Sequence, residues 1–198
     1  MEKIAFFGGS FNPPSKVHYQ IAKNILDNLQ IDKICFVPVG NYYKKQDLID
    51  VKYRYEMLNI MSKDELKMFV SDITLEERNN LKAIDIFKKI KQKYQDKDIY
   101  FVMGSDNFFK ILNWKEPEQL VKNYKIIVIV RDNLNINNLI CSNKILKDNK
   151  NNIFILNCED TKNTIDSTQI RNMIINKENV NNFLHKDVIN YIDNNKLY

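Results

Sequence analysis

Short apolar runs alternate along this chain with longer stretches that place apolar residues at helical spacing. Runs with no polar alternation are typical of strands buried on both faces of a parallel sheet. The predicted strands are residues 4–7, 33–39, 68–73, 98–103, 125–130 and 152–156. The run at 125–130 is the most apolar, and we expect it to be a central strand.

Helical spacing predicts the remaining elements. The predicted helices are residues 17–28, 53–61, 81–94, a segment through 108–112, residues 167–176 and 186–194. Residues 132–152 are rich in Asn and Lys, which indicates either a helix of low propensity or a variable surface excursion. The alternation of strands and helices predicts an α/β fold. We expect a single domain over residues 1–198, with a doubly wound parallel sheet in three layers and right-handed crossovers.

The composition fits this picture. Of the 198 residues, 44% are hydrophobic and 28% charged, and the net charge is +5. The basic residues are scattered among acidic ones, so a solvated surface is favoured over a nucleic-acid partner. No apolar run approaches the roughly 20 residues that span a bilayer, and no membrane partner is expected. Cys35, Cys141 and Cys158 lack metal-binding spacing, which predicts reduced thiols in a cytoplasmic protein. Whether the protein forms a homo-oligomer stays open.

The first strand is followed by a turn that favours anion binding. Gly8 and Gly9 break the apolar run and let the backbone approach a ligand closely. Two prolines stiffen the loop, and Ser15 is placed to cap the helix that follows. A strand, a glycine turn and a helix N-terminus together put N–H groups and partial positive charge at one point, where a phosphate would bind.

Polar clusters also follow other predicted strands, at residues 43–45, 104–106 and 167–171. Lys44 and Lys45 either reach a phosphate or form a solvated surface pair. Residues 167 and 168 offer hydroxyls and unpaired backbone N–H groups near the guanidinium of Arg171; the alternative is a capped helix with an exposed arginine. Because ligands bind beyond the carboxyl ends of parallel strands, the clusters predict one ligand-binding rim.

Two of these clusters resemble the motifs of nucleotidyltransferases. Residues 9–13 resemble Gly-x-Phe-Asp/Asn-Pro, and residues 15–18, Ser-Lys-Val-His, stand where a His-x-Gly-His element follows. Residues 165–171 resemble Ile-Ser-Ser-Thr-x-Ile-Arg. The segments 104–114 and 188–198 are similar to nicotinate and nicotinamide mononucleotide adenylyltransferases, so the likeness covers almost the whole chain.

The resemblance implies transfer of AMP from ATP to a pyridine mononucleotide in NAD biosynthesis, with Mg²⁺ carried by ATP and no protein metal site. It implies catalytic roles for His18, Lys45 and Arg171. The implied ATP site consists of Gly9, Ser10, Phe11, Ser15, His18, Ser167, Thr168 and Arg171. The implied mononucleotide site consists of Lys44, Lys45, Gly104, Asp106, Trp114 and Arg131. Trp114 would stack on the pyridine ring, although a core tryptophan is an equal alternative.

The chain departs from the bacterial pattern at Ser15 and Val17, where His and Gly are usual. Two alternatives follow: a catalytically weak or silent nucleotide-binding regulatory relative, and a sister enzyme with another acceptor, such as a phosphopantetheine or a phosphocholine. His18 and Arg171 argue against the first, and Trp114 argues against the second. The element that meets the nicotinate carboxylate in bacterial members would fall at residues 82–83 and does not match, so nicotinate against nicotinamide stays open.

Overall fold

A computed structural model describes residues 1–130, 135–158 and 165–198 of the chain. Six strands form one sheet in the order β3-β2-β1-β4-β5-β6, and every neighbouring pair is parallel. The strands are β1 (Lys3–Gly9), β2 (Lys33–Pro38), β3 (Met68–Val70), β4 (Asp98–Gly104), β5 (Lys125–Val130) and β6 (Ile153–Asn157). The predicted parallel sheet is confirmed.

One strand lies elsewhere than expected. β5 is next to the edge strand β6, and the central pair is β1 and β4, so the prediction of a central β5 is wrong. Its last five residues are nevertheless buried. Helices cover both faces of a doubly wound sheet, so a strand one place from the edge is as apolar as a central one.

The described helices agree with the periodicity except in the second half of the chain. They are α1 (Lys16–Asn28), α2 (Val51–Ser62), α3 (Ala83–Lys93), α4 (Ser105–Phe108), α5 (Pro117–Asn123), α6 (Ile136–Ser142), α7 (Lys144–Asp148), α8 (Ser167–Ile175) and α9 (Lys186–Asn195). The helix predicted through 108–112 is divided into α4 and a 3₁₀ turn at Ile111–Asn113. α5 was not anticipated, and the Asn/Lys-rich segment contains α6 and α7 from residue 136 onwards.

The sheet separates two hydrophobic cores. Along β1, Ala5 and Phe7 belong to one core, whereas Ile4 and Phe6 belong to the other. The first core is closed by α1, α2, α8 and α9, and the second by α3 to α7. This arrangement confirms the three predicted layers, because successive side chains of a strand point to opposite faces.

The chain reverses direction across the sheet between β1 and β4. From β1 it proceeds to β2 and β3 on one side, and from β4 to β5 and β6 on the other. Ligands of doubly wound sheets bind at such a switch point, beyond the carboxyl ends of the strands. Within the described ranges, no helix combines the length and the apolar character needed to cross a membrane. The single domain over residues 1–198 stays a prediction.

Candidate active site

The turn after β1 is shaped by a close contact between Gly9 and Phe11. Phe11 has a left-handed backbone with φ of 46°, which is uncommon for a residue with a side chain, and it is 1% exposed. Its ring lies over Gly9 so closely that a Cβ on Gly9 would stand 2.9 Å from the ring atom Cζ. A Cβ on Gly8 would meet no atom within 4 Å. Gly9 is therefore needed because of the Phe11 ring, while Gly8 borders open space.

The segment that follows, residues 10–13, is called the β1 loop below. Side chains from distant elements bind its carbonyl oxygens. These hydrogen bonds run from Arg54 Nη1 to Ser10 (2.9 Å), from Arg171 Nη1 to Asn12 (2.9 Å) and from Ser167 Oγ to Pro13 (3.0 Å). In the described part of the chain, the N–H groups of residues 10–12 donate no hydrogen bond. Three carbonyl oxygens of the β1 loop are thus fixed by protein, whereas the N–H groups of residues 10–12 have no described acceptor.

Arg54 is a central support of this loop, and it is fully buried. Besides Ser10, its guanidinium donates to the carbonyl oxygens of Ile49 (Nε, 2.9 Å) and Val39 (Nη2, 2.6 Å). Burial lowers the pKa of Arg54 to about 10. No described carboxylate forms an ion pair with Arg54, and its three described hydrogen bonds all go to main-chain carbonyl oxygens.

His18 is held in one orientation by Ser15, which is the N-cap of α1 as expected. The ring atom Nδ1 of His18 lies 3.0 Å from the backbone nitrogen of Ser15 and 2.8 Å from its hydroxyl oxygen. Because Nδ1 accepts the backbone N–H, it carries no proton, and the hydroxyl also donates to it. The neutral ring therefore has its proton on Nε2. Phe11 packs edge-on against this ring, with 5.0 Å between centroids.

Lys45 approaches the β1 loop from the segment that follows β2. Its Nζ donates to the hydroxyl oxygen of Ser10 at 2.9 Å. Burial lowers the pKa of Lys45, and the positive charges of Arg171 and Arg54 act in the same direction. Cations thus converge on the loop, which favours binding of an anion there.

The start of α8 differs in one respect from the expected anion site. The carboxylate of Asp166 accepts the N–H groups of Thr168 (2.7 Å) and Gln169 (2.8 Å), so the expectation of unpaired N–H groups in this turn is wrong for these two. Asp is a better N-cap than an apolar residue because its oxygen satisfies these donors. Arg171 is 6% exposed and also donates to the carbonyl oxygen of Ser167 at 3.2 Å.

A cavity of about 880 Å³ lies beside the β1 loop, beyond the ends of β1, β2 and β4. Its lining includes these predicted site residues: Gly9, Ser10, Lys44, Lys45, Asp106 and Trp114. Trp114 is half-buried and packs against the second core, so it is both a core residue and a wall of the cavity. The volume of the cavity is that of a site for a small organic ligand.

The other predicted residues lie outside the cavity lining. They are Phe11, Ser15, His18, Gly104, Ser167, Thr168 and Arg171, and all but Gly104 are in or next to the β1 loop, α1 or the start of α8. Gly104 ends β4 and is the N-cap of α4. Arg131 lies outside the described residues. Within the described ranges, no group of three His, Cys, Asp or Glu side chains is placed to hold a metal ion.

Sequence reasoning assigned no site role to Arg54 or Asn12. One signal was available for Arg54, because residues 51, 54, 58 and 61 share one face of α2 and all are buried. An arginine on an otherwise apolar stripe indicates a buried, hydrogen-bonded charge. For Asn12 the only signal was its position in the motif Gly-x-Phe-Asp/Asn-Pro.

Lys45 and Arg54 contact a loop at the switch point of a doubly wound sheet, and this arrangement suits a ligand that carries phosphate. The family model described as cytidylyltransferase-like matches residues 6–173. A probable nicotinate-nucleotide adenylyltransferase of Borrelia hermsii is 32% identical, over 99% of this chain and 97% of the relative. Another, of Caldicellulosiruptor bescii, is 30% identical over 99% and 98%.

The solved structures agree on the fold. A nicotinic acid mononucleotide adenylyltransferase of Plasmodium falciparum, in complex with NaAD, has a TM-score of 0.79 at 24% identity, and the match covers 100% of this chain and 98% of that one. The chain therefore belongs to the cytidylyltransferase-like proteins and, among them, to the nicotinate-nucleotide adenylyltransferase family.

Proposed function

We propose that this protein transfers the adenylyl group of ATP to the phosphate of nicotinate mononucleotide. A phosphate oxygen of the mononucleotide attacks the α-phosphorus of ATP and forms the new P–O bond. The bond between the α-phosphorus and the oxygen bridging to the β-phosphate breaks, and pyrophosphate leaves. The product is the dinucleotide of NAD biosynthesis, and no covalent bond to the enzyme forms.

The observation that supports this proposal best is the β1 loop, in which side chains bind three carbonyl oxygens and the N–H groups of residues 10–12 have no described acceptor. In phosphoryl transfer, catalysis consists largely of holding the two reactants in line and stabilising negative charge. The N–H groups of residues 10–12, Nε2–H of His18 and Nζ of Lys45 are donors of the required kind. Because the protein fixes them in advance, they need not reorganise as charge develops.

Arg171 is assigned two contributions. Its Nη1 holds the Asn12 carbonyl oxygen and so shapes the loop, while its charge favours the triphosphate of ATP. Ser167 supports the loop in the same way through Pro13. We propose that Thr168, which is exposed at the start of α8, meets the β- and γ-phosphates with its hydroxyl.

The cavity is the proposed mononucleotide site. Trp114 offers a partly exposed ring face for the pyridine, and Asp106 offers a carboxylate for ribose hydroxyls. Lys82 and Lys110 also line this cavity, and neither forms an ion pair with a described carboxylate. Cations of this kind favour the negatively charged carboxylate of nicotinate over the neutral amide of nicotinamide. The names of the curated relatives support the same choice.

Mg²⁺ would enter the site bound to ATP. This ion keeps several of its waters and is usually held by substrate phosphates together with one or two protein groups. Bound there, it would neutralise charge on the leaving pyrophosphate. We place the reaction in the cytoplasm, as the predicted reduced thiols suggest.

The contact between Ser15 and His18 favours an active enzyme over the silent relative. Ser15 supplies both a backbone N–H and a hydroxyl to Nδ1, and these two donors fix the ring tautomer. A histidine at position 15 is therefore not needed to orient His18.

The test is pyrophosphate release with ATP and Mg²⁺, offered nicotinate mononucleotide and nicotinamide mononucleotide in parallel. We expect release with both and a higher kcat/KM for the nicotinate form. His18→Ala should lower kcat by about 10²–10³-fold and change the mononucleotide KM little, as for loss of a donor to the transition state.

His185 provides the matched control, because its side chain accepts the N–H of Asp187 at the start of α9. His185→Ala should leave kcat close to that of the wild type. Silence of the wild type with both mononucleotides, with ATP binding retained, would refute the proposed reaction.

A further inference from the structure

Asn12 connects four separate parts of the chain, although it is fully buried. Its Nδ2 donates to the carbonyl oxygen of Asp47 at 2.7 Å, and its own carbonyl oxygen accepts Arg171 Nη1 at 2.9 Å. Its Oδ1 accepts the phenolic hydroxyl of Tyr198 at 2.8 Å. The β1 loop is thereby joined to the segment that carries Lys45, to α8 and to the residues after α9.

The direction of these bonds follows from chemistry. The Asp47 carbonyl can only accept, so the side-chain atom that faces it is the amide nitrogen. The remaining amide atom is the oxygen, which can only accept, so Tyr198 must donate its proton. Burial raises the pKa of Tyr198, which keeps the phenol protonated for this purpose.

Tyr198 is itself held firmly. Lys196 ends α9 in the left-handed conformation, with φ of 51°, and turns the chain back towards the protein. The N–H of Leu197 donates to the carbonyl oxygen of Ile192 at 3.1 Å, and the Leu197 side chain is buried in the first core. The phenol is thus presented to Asn12 by a fixed end of α9.

We propose, on the basis of the proposed function, that Tyr198 is a positioning residue that holds Asn12, and through it the β1 loop and the Lys45 segment, in the arrangement that binds the triphosphate of ATP. The phenol touches neither reactant. Without its hydroxyl, Asn12 Oδ1 loses the one donor described for it, and the bond from Nδ2 to Asp47 alone then holds the amide. The support that the β1 loop and the Lys45 segment share through Asn12 is then weakened.

The test is Tyr198→Phe, which keeps the ring and its packing and removes only the hydroxyl. At a temperature where all variants are folded, we expect kcat to fall by about 5–10-fold, as for the loss of one buried hydrogen bond in the transition state. ATP affinity measured by calorimetry should fall by a similar factor, while the KM of the mononucleotide stays within about twofold.

Tyr191→Phe is the matched control, because Tyr191 lies on α9 and its hydroxyl forms no hydrogen bond within the described ranges. This variant should keep the wild-type kcat and ATP affinity. A Tyr198→Phe enzyme that equals Tyr191→Phe in both quantities would overturn the proposal. If the wild type binds ATP but releases no pyrophosphate, the proposed function fails, and the calorimetric comparison alone then decides the role of Tyr198.

Discussion

Replacing Gly9 by alanine tests the contact that shapes the β1 loop. The added Cβ would stand 2.9, 3.1 and 3.1 Å from three atoms of the Phe11 ring, closer than such atoms ordinarily pack. The ring cannot easily retreat, because it is 1% exposed and packs edge-on against Phe7, Phe36 and His18. Overpacking of this kind costs about 1–3 kcal/mol, so the melting temperature should fall by about 2–12 °C for a chain of this size.

Gly8→Ala separates this contact from general effects of adding a side chain. No described glycine has a positive φ, so alanine suits the backbone at both positions. The Cβ at position 8 meets nothing within 4 Å, and a less flexible unfolded chain should keep this variant as stable as the wild type or about 0.4–1 kcal/mol more stable. Thermal and urea unfolding of both variants give the comparison.

Replacing Gly9 by alanine should also affect catalysis. Displacement of the Phe11 ring disturbs the neighbouring His18, so kcat of Gly9→Ala should fall even at temperatures where the variant is fully folded. Equal melting temperatures for Gly9→Ala and Gly8→Ala would refute the reasoning, because the ring would then move aside at no cost.

Two further predictions concern the substrates. Lys45→Met should lower kcat by about tenfold or more in the pyrophosphate assay, because it removes a cation that is hydrogen-bonded to Ser10 at 2.9 Å. Lys44→Met breaks no described hydrogen bond or ion pair and should have a smaller effect. Trp114→Ala should raise the KM of the mononucleotide by about 5–30-fold and leave that of ATP nearly unchanged, as expected for one lost stacking contact of about 1–2 kcal/mol. Equal effects on both substrates would indicate a packing role, and Trp114→Phe should recover part of the affinity.

The strands and the longer helices could be predicted because their signals are local. The apolar run at 98–103 and the helical periodicity of 17–28 can each be recognised from a few neighbouring residues. The same locality explains the errors. The order of strands depends on contacts between distant segments. The apolar character of 125–130 is a local property, so it did not indicate the position of β5 in the sheet. α5 spans seven residues and begins with Pro117 after a left-handed Glu116, which leaves too short a pattern to recognise.

The roles of the candidate site residues stay predictions, and the sequence did not indicate the hydrogen-bond network that joins some of them. Ser15 and His18 are three residues apart, and their contact follows from helix geometry. The partners of Asn12 are 35, 159 and 186 residues away, and no periodicity reports such distances. The cap by Asp166 is local and could have been recognised, since Asp at this position satisfies the N–H groups that were expected to bind phosphate.

The burial of Arg54 links occupancy of the site to the stability of the whole fold. Main-chain oxygens solvate this guanidinium less well than water does, as its lowered pKa indicates. Because Arg54 contacts the β1 loop at Ser10, a polyphosphate bound to this loop would offset part of that electrostatic cost. The melting temperature should then rise with ATP and also with pyrophosphate, which has no sugar or base. Thermal unfolding therefore reports the binding of the anion itself.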